Sequence, residues 1–164
     1  MGQRPLLLGA VPPVQGSVVM RVDFYQLSRD PAETVIPLLA ANTLKAGERL
    51  LVVSGDDAQL AAVSKALWSH APESFLAHGA SGSPHDLRQP VLLSDRPEAA
   101  NGARFLALAD GAWRSEAESF DRVFLLFGEA ALDGARACWR MLGEREDAER
   151  RFWKQDGGKW REGP

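Results

Sequence analysis

The stretch LLVVSGDDAQLAAVSKALW, residues 50–68, indicates the fold class of this chain. It opens with the apolar run Leu50–Val53, whose length and composition are typical of a strand buried on both faces. Asp56 or Asp57 then provides a helix N-cap, and apolar residues recur at helical spacing as far as Trp68. A buried strand followed at once by a capped helix is the repeating unit of α/β proteins.

The same alternation of strand and helix continues on both sides of this stretch. Upstream, the segment VDFYQL at residues 22–27 is rich in strand formers, and Asp30 is predicted to cap a helix whose first residue is Pro31. Downstream, strands are predicted at residues 75–76, 90–94, 104–108 and 123–127, followed by a helix over residues 130–142. The chain is therefore predicted to form a single three-layer α/β domain around a mostly parallel sheet.

Length and composition limit the classes of protein to which the chain could belong. Its 164 residues, 45% hydrophobic and 25% charged, suit one ordinary globular domain. The net charge of −3 argues against a protein that mainly grips duplex DNA, which usually needs a basic domain. Cys138 is the only cysteine, which excludes an intramolecular disulfide and a cysteine-based zinc site and is typical of a reducing cytoplasm.

Residues 1–19 precede the first predicted strand, and we expect them to be a disordered extension of a domain over residues 20–164. Their short apolar segment weakly resembles a signal peptide, but three prolines and the lack of a small-x-small cleavage site argue against one. No window of about 18 apolar residues offers a membrane span. We therefore expect a cytoplasmic protein that makes no contact with a membrane.

Signatures of catalysis are sparse in this sequence. It has no phosphate loop of the form G-x-x-x-x-G-K-[ST], no G-x-G-x-x-G after the first strand, and no histidine at metal-ligand spacing. The loop from His78 to Asp86 contains Ser81, which leaves open a nucleophilic serine or an anion-binding turn of backbone amides. Its spacing does not match a nucleophile elbow, so a surface loop is the simpler interpretation. A small α/β nucleotide-binding protein or hydrolase that uses this loop is the alternative function.

The predicted C-terminal helix carries a more specific pattern. At about 100° per residue, one helix face carries the apolar residues Ala131, Ala135, Cys138 and Leu142. That face is the natural core side, so Cys138 is expected to be a buried, inert thiol. Arg136 and Arg140 lie on another face, and Trp139 lies between the two. Two guanidinium groups beside an apolar ledge suit a peptide that bears carboxylates and an aromatic side chain.

The C-terminal region as a whole is rich in basic and aromatic residues. Between positions 136 and 161 there are eight basic and five acidic residues. Trp153 and Trp160 lie among them in a predicted charged tail. Direct binding of single-stranded DNA, through stacking and phosphate contacts, is therefore a second alternative.

Four stretches in order resemble the chi subunit family of bacterial DNA polymerase III. They are VDFYQL at residues 22–27, ALW with ESFLAH at residues 66–68 and 73–78, QPVLL at residues 89–93, and ARxxWR followed by FWKQ at residues 135–140 and 152–155. Together they span residues 20–155, and their combined order is far more specific than any one of them.

The resemblance implies a Rossmann-like α/β domain without catalytic activity, cofactor or metal. Proteins of this family bind the acidic, phenylalanine-terminated tail of single-stranded DNA-binding protein, so they reach DNA mainly indirectly. The family's tail-binding motif R-x-x-[YW]-K falls on Arg136, Trp139 and Arg140, the face already found by helical counting. The next basic position of the family is Gly143 here, with Arg145 nearby as a stand-in.

The resemblance also implies a second partner. Chi proteins join the clamp loader through the psi subunit, and their psi-facing surface involves the middle segment. Trp68 and Phe75 are the corresponding residues here, and a helicase could use the same surface.

Overall fold

The computed structural model describes residues 19–70, 76–156 and 159–163 of the chain. The described strands are β1 Met20–Gln26, β2 Leu50–Val53, β3 His78–Ala80, β4 Val91–Ser94, β5 Phe105–Leu108, β6 Arg122–Phe127, β7 Ala148–Asp156 and β8 Lys159–Glu162. The described helices are α1 Ala32–Lys45, α2 Asp57–Ser69 and α3 Leu132–Gly143, with short 3-10 turns at Asp86–Arg88, Ser115–Ser119 and Glu129–Ala131. Apart from Val19, whose N–H donates to the Asp147 carbonyl at 2.7 Å, the expected N-terminal extension lies outside the described residues.

The described strands form one sheet in the order β3-β4-β2-β5-β6-β1-β7-β8. Every neighbouring pair is parallel except β7 and β8, which are antiparallel. The predicted α/β fold with a mostly parallel sheet is therefore confirmed. In the described part of the chain, no helix has the length and apolar character needed to cross a bilayer.

Two hydrophobic clusters lie on opposite faces of the sheet and give the molecule its three layers. Along β6, Phe124 and Leu126 belong to the cluster that includes α1 and α2. The intervening residues of β6, Val123 and Leu125, belong to the cluster that includes α3. This alternation is expected because successive side chains of a strand point to opposite faces. Both faces of the central strands are covered, which is why these strands are almost wholly apolar.

The helix starts agree only in part with the sequence predictions. Asp56 caps α2 as predicted, since its carboxylate accepts a hydrogen bond from the N–H of Ala58 at 2.9 Å. The predicted Asp30 cap of α1 is wrong, because Pro31 is the N-cap and makes no side-chain cap hydrogen bond. The Asp30 carboxylate instead accepts from the side-chain amide of Gln155, at 2.8 Å. Because the Asp30 side chain is bonded to Gln155, it does not cap α1.

Two predictions about strands are also wrong. Of the strand predicted at residues 75–76, only Leu76 is described, and it is not in a strand. The next described strand is His78–Ala80, so the predicted loop from residue 78 begins with an edge strand. The predicted charged tail is a hairpin in which β7 joins the sheet beside β1 and β8 folds back on it. The aromatic residues of β7 explain its place, because Phe152 packs in the core beneath α3 while Trp153 stacks on Tyr25 at 6.3 Å on the other face.

A buried carboxylate fastens β7 to the centre of the sheet. The Asp23 side chain on β1 is fully buried. It accepts hydrogen bonds from Arg21 at 3.0 Å, from Arg122 on β6 at 2.9 Å, and from the indole N–H of Trp153 on β7 at 3.1 Å. Three adjacent strands therefore share one acceptor group, which compensates for removing the charge from water.

Candidate functional site

A pocket of about 320 Å³ lies between α3 and the carboxyl ends of β1, β6 and β7. Its lining is formed by Gln26, Phe127, Leu132, Ala135, Arg136, Trp139, Arg140, Phe152 and Lys154. The volume is at the small end of the range for ligand sites, about 300–1,000 Å³. The pocket therefore suits one or two side chains better than a nucleotide cofactor.

Trp139 is fixed against the apolar floor of the pocket. Its ring makes edge contacts with Phe24 and Phe152, at centroid distances of 5.1 and 5.8 Å. On its other side, the Arg150 guanidinium lies 4.2 Å from the ring centroid and donates to the Trp139 carbonyl at 2.7 Å. Cation–π and edge contacts of this kind hold an aromatic side chain in one orientation. The pocket therefore has a rigid apolar wall before any ligand arrives.

Gly143 makes room for this arrangement. A Cβ atom at position 143 would lie 2.7 Å from the Arg150 guanidinium, so the arginine side chain would have to move away from its present position. Where the resemblance to the family led us to expect a basic residue at position 143, the chain has glycine, and the Arg150 guanidinium of β7 lies beside it. Arg150 points to Trp139 rather than into the pocket, so it supports the aromatic wall.

The rim of the pocket carries three cations. Arg136 and Arg140 project from α3 and Lys154 from β7, and all three are exposed. Within the described residues, none of these side chains forms a hydrogen bond or an ion pair, and no acidic residue lines the pocket. Cationic groups beside an apolar cavity favour an acidic ligand with an aromatic or aliphatic group.

Arg145 lies apart from the other three predicted tail-binding residues. Its guanidinium donates to Glu118 at 2.6 Å and to both carboxylate oxygens of Asp147 at 3.0 Å, and it does not line the pocket. The structure therefore brings Arg136, Trp139 and Arg140 together and leaves Arg145 in a separate ion-pair cluster.

The second predicted surface lies near the opposite edge of the sheet. Trp68 on α2 is 56% exposed, and its ring centroid lies 4.7 Å from that of His78 on β3. The His78 ring is held by the Leu76 carbonyl at 2.9 Å and by the Ser64 hydroxyl at 3.0 Å. Phe75, the other predicted residue of this surface, lies outside the described residues.

The loop from His78 to Asp86 does not assemble a catalytic group from its own residues. Ser81 donates its hydroxyl to Ser94, at 3.1 Å, rather than to His78. The Asp86 carboxylate accepts from the backbone N–H groups of Gly82 and Ser83, at 2.8 and 3.0 Å, and so serves to close the turn. These contacts favour the surface-loop interpretation over a nucleophilic serine.

In the β1–α1 loop, where many α/β proteins bind phosphate, three backbone N–H groups are engaged by a side chain of the protein itself. The side-chain oxygen of Gln155 accepts from the backbone N–H groups of Ser28, Arg29 and Asp30, at 3.4, 3.0 and 3.2 Å. Its amide nitrogen donates to the Asp30 carboxylate. Gln155 is buried, so these three donors are already satisfied.

The crevice at the carboxyl ends of β2 and β5 is similarly occupied. The Asp110 carboxylate accepts from the N–H groups of Gly55 and Ala112, at 2.9 and 3.1 Å, and forms two hydrogen bonds with Arg114. Burial opposes ionisation of Asp110, but Arg114 and the two N–H groups outweigh it and lower its pKa. Among the described residues, no group of three or more His, Cys, Asp or Glu side chains could hold a metal ion.

Cys138 is expected to be unreactive in the folded protein. It lies in the core beneath α3, where burial, followed by the charge of Glu118, raises its thiol pKa to about 12. Only the thiolate reacts with disulfide reagents, so at pH 8 the rate of labelling should be roughly a thousandfold below that of an exposed cysteine of ordinary pKa. Labelling followed by absorbance with and without denaturant measures this difference. Rapid, stoichiometric labelling of the folded protein would contradict it.

Several residues of the pocket were not predicted from the sequence. Gln26, Phe152 and Lys154 line it from the sheet, and Arg150 supports it. The available signal was an alternation of period two in residues 152–155, where Phe152 and Lys154 lie on the pocket side while Trp153 lies on the other. The high charge of the segment obscures this alternation.

Comparison with known families shows what the chain is similar to. The family model described as DNA polymerase III chi subunit, HolC, matches residues 19–148 of the chain. The matched range contains α3 with its arginines and ends at the first residue of β7, so Lys154 lies beyond it. Among curated proteins, none matches the chain.

Proposed function

The chain belongs to the DNA polymerase III chi subunit family, and we propose that it is a non-catalytic adaptor that binds the acidic C-terminal tail of single-stranded DNA-binding protein. The family gives it an accessory role in DNA replication as part of the polymerase III holoenzyme. The observation that carries the proposal is the pocket beneath α3, with its apolar floor and three cations that have no partner among the described residues.

The terminal phenylalanine of the tail occupies the pocket. Its ring packs on Phe127 and Phe152, beside the fixed edge of Trp139, while the acidic residues of the tail pair with Arg136 and Arg140. Each charge-assisted contact contributes about 1.5–3 kcal/mol, which corresponds to roughly 10- to 150-fold in affinity. Because α3 and the pocket floor are rigid elements of the core, this chain itself loses little conformational entropy when the tail binds, and the entropic cost falls mainly on the tail.

The psi subunit of the clamp loader binds at the other edge of the sheet, on the surface around Trp68. The assignment of Phe75 to the same partner rests on its sequence position alone. Trp68 supports this proposal as a large aromatic side chain that is 56% exposed, because tryptophan is enriched in protein–protein interfaces. Six strand spacings separate β3 from β7, a distance of roughly 30 Å. Both partners can therefore bind at once, and a helicase that uses the Trp68 surface would replace psi rather than the tail.

The absence of catalysis in the proposal is supported by contacts at the usual ligand positions. The Gln155 side chain accepts hydrogen bonds from the backbone of the β1–α1 loop. Asp110 and Arg114 pair with each other in the crevice between β2 and β5. The Ser81 hydroxyl donates to Ser94 rather than to His78. Direct DNA binding by the C-terminal hairpin is less well supported. Trp153 and Trp160 pack on Tyr25, and Arg151 and Arg161 are ion-paired.

Calorimetric titration of the full chain with a peptide of the last ten residues of the cognate single-stranded DNA-binding protein tests the proposal. We expect saturable binding that weakens as the salt concentration rises, because charged groups on the exposed rim are screened. The matched control is the same peptide without its terminal phenylalanine, which should lose most of the affinity. If the two peptides bind equally, or neither binds at low salt, the pocket is not the tail site. A labelled oligonucleotide tested in parallel detects direct DNA binding.

A further inference from the structure

The pocket rim is cationic on two opposite sides. On one side, Arg136 and Arg140 project from α3. On the other side, Lys154 projects from β7 beside Gln26 of β1, its partner in the parallel ladder. Since residues 24 and 152 are also ladder partners and both pack beneath α3, Gln26 and Lys154 lie on that same face, nearer the carboxyl ends of the two strands. The floor between the two cationic sides is apolar.

The two sides differ in the carboxylates that they can accommodate. Arg136 and Arg140 are one helical turn apart, a rise of about 6 Å. That spacing matches alternate side chains of an extended peptide, which are about 6.6 Å apart. Lys154 offers one compact charge with three donor hydrogens, and the neighbouring Gln26 amide offers a neutral donor. The helix side therefore suits successive acidic side chains, and the sheet side suits a single carboxylate.

We propose that Lys154, assisted by Gln26, binds the free α-carboxylate of the peptide whose last side chain fills the pocket. This inference rests on the proposed function, and it explains why the pocket selects a chain terminus rather than an internal acidic segment. When the last side chain reaches the floor, its Cα lies at the rim. The α-carboxylate, one bond from that Cα, then meets Lys154, while the preceding residues extend along α3.

Two peptides and two lysine variants test the assignment. The peptides are the tail with a free C-terminus and the same tail with a C-terminal amide. The wild-type chain should bind the amide roughly tenfold or more weakly, since one charge-assisted contact is lost. The Lys154→Met variant should bind both peptides with nearly equal affinity, at the level of the amide on wild type. Lys159→Met, which removes an exposed lysine outside the pocket lining, should behave as wild type.

The cycle formed by these four affinities separates the two proposals. If Lys154→Met still discriminates between acid and amide as strongly as wild type, the assignment of Lys154 is overturned while tail binding stands. If wild type binds neither peptide, both proposals are overturned. The Arg136→Met variant should bind both peptides more weakly yet keep the discrimination, because it acts on a different carboxylate. Lys154 is exposed, so the variant should unfold at the wild-type temperature, which circular dichroism checks.

Discussion

Replacing Asp23 with alanine is expected to lower the free energy of unfolding by about 3 kcal/mol. The fully buried carboxylate accepts hydrogen bonds from Arg21, Arg122 and Trp153, on three adjacent strands. Without it, two guanidinium groups face one another with no counter-charge, and the indole N–H loses its acceptor. The arginine side chains are 28% and 32% exposed, so water recovers part of the cost, which keeps the estimate at the lower end for a broken buried pair.

Thermal unfolding followed by circular dichroism measures this effect, and a domain of this size should lose roughly 6–12 °C in its midpoint. The matched control is Asp95→Ala, which removes a carboxylate from an exposed pair with Arg96 at 4.0 Å. Pairs of that kind contribute little to stability, so the control should unfold as wild type does. Equal midpoints for the two variants would show that the Asp23 cluster does not stabilise the sheet.

The double charge reversal Arg136→Glu with Arg140→Glu should abolish tail binding. Each arginine alone accounts for about tenfold or more in affinity. Two glutamates would also repel the acidic tail at the same positions. We therefore expect a loss of more than roughly a hundredfold, which places binding beyond the range of calorimetric titration. Both side chains are exposed, so the fold should be unaffected.

General electrostatics must be separated from site-specific contacts in this experiment. Arg88→Glu with Arg96→Glu makes the same change in net charge on exposed residues near β4, far from the pocket in the strand order. This control should reduce affinity only slightly and only at low salt. A comparable loss in both double variants would contradict the assignment of α3 as the tail site. Arg145→Ala completes the set of variants. It should bind the tail as wild type does, because Arg145 and its partners Glu118 and Asp147 lie outside the pocket lining.

The central strands could be predicted from the sequence because burial on both faces requires apolar residues at nearly every position. Leu50–Val53 is apolar throughout, and the structure has a strand over those four residues. β7 escaped prediction for the opposite reason. Several of its charged residues form ion pairs, such as that between Arg151 and Glu149, and its two aromatic residues, Phe152 and Trp153, pack beside their neighbours. Local composition does not reveal which charges will find partners in the fold.

The candidate site was predictable where one helix determines it. Helical counting places Arg136, Trp139 and Arg140 together, because their separation depends only on residues of α3. Gln26 and Lys154 are 128 positions apart, and they meet because β1 and β7 pair in one particular register. A contact of this type requires the strand order, which no local pattern supplies.

The Gln155 contact has a consequence for how the C-terminal hairpin behaves. In a protein that binds anions at this loop, the three N–H groups would be occupied to a degree set by ligand concentration. Here the acceptor is tethered to the same chain, so its effective concentration is set by folding alone. Soluble phosphate must therefore displace the Gln155 side chain before it can bind these N–H groups. If the hairpin detached from β1, the loop would lose the Gln155 side chain, and the pocket beneath α3 would lose the wall formed by Phe152 and Lys154.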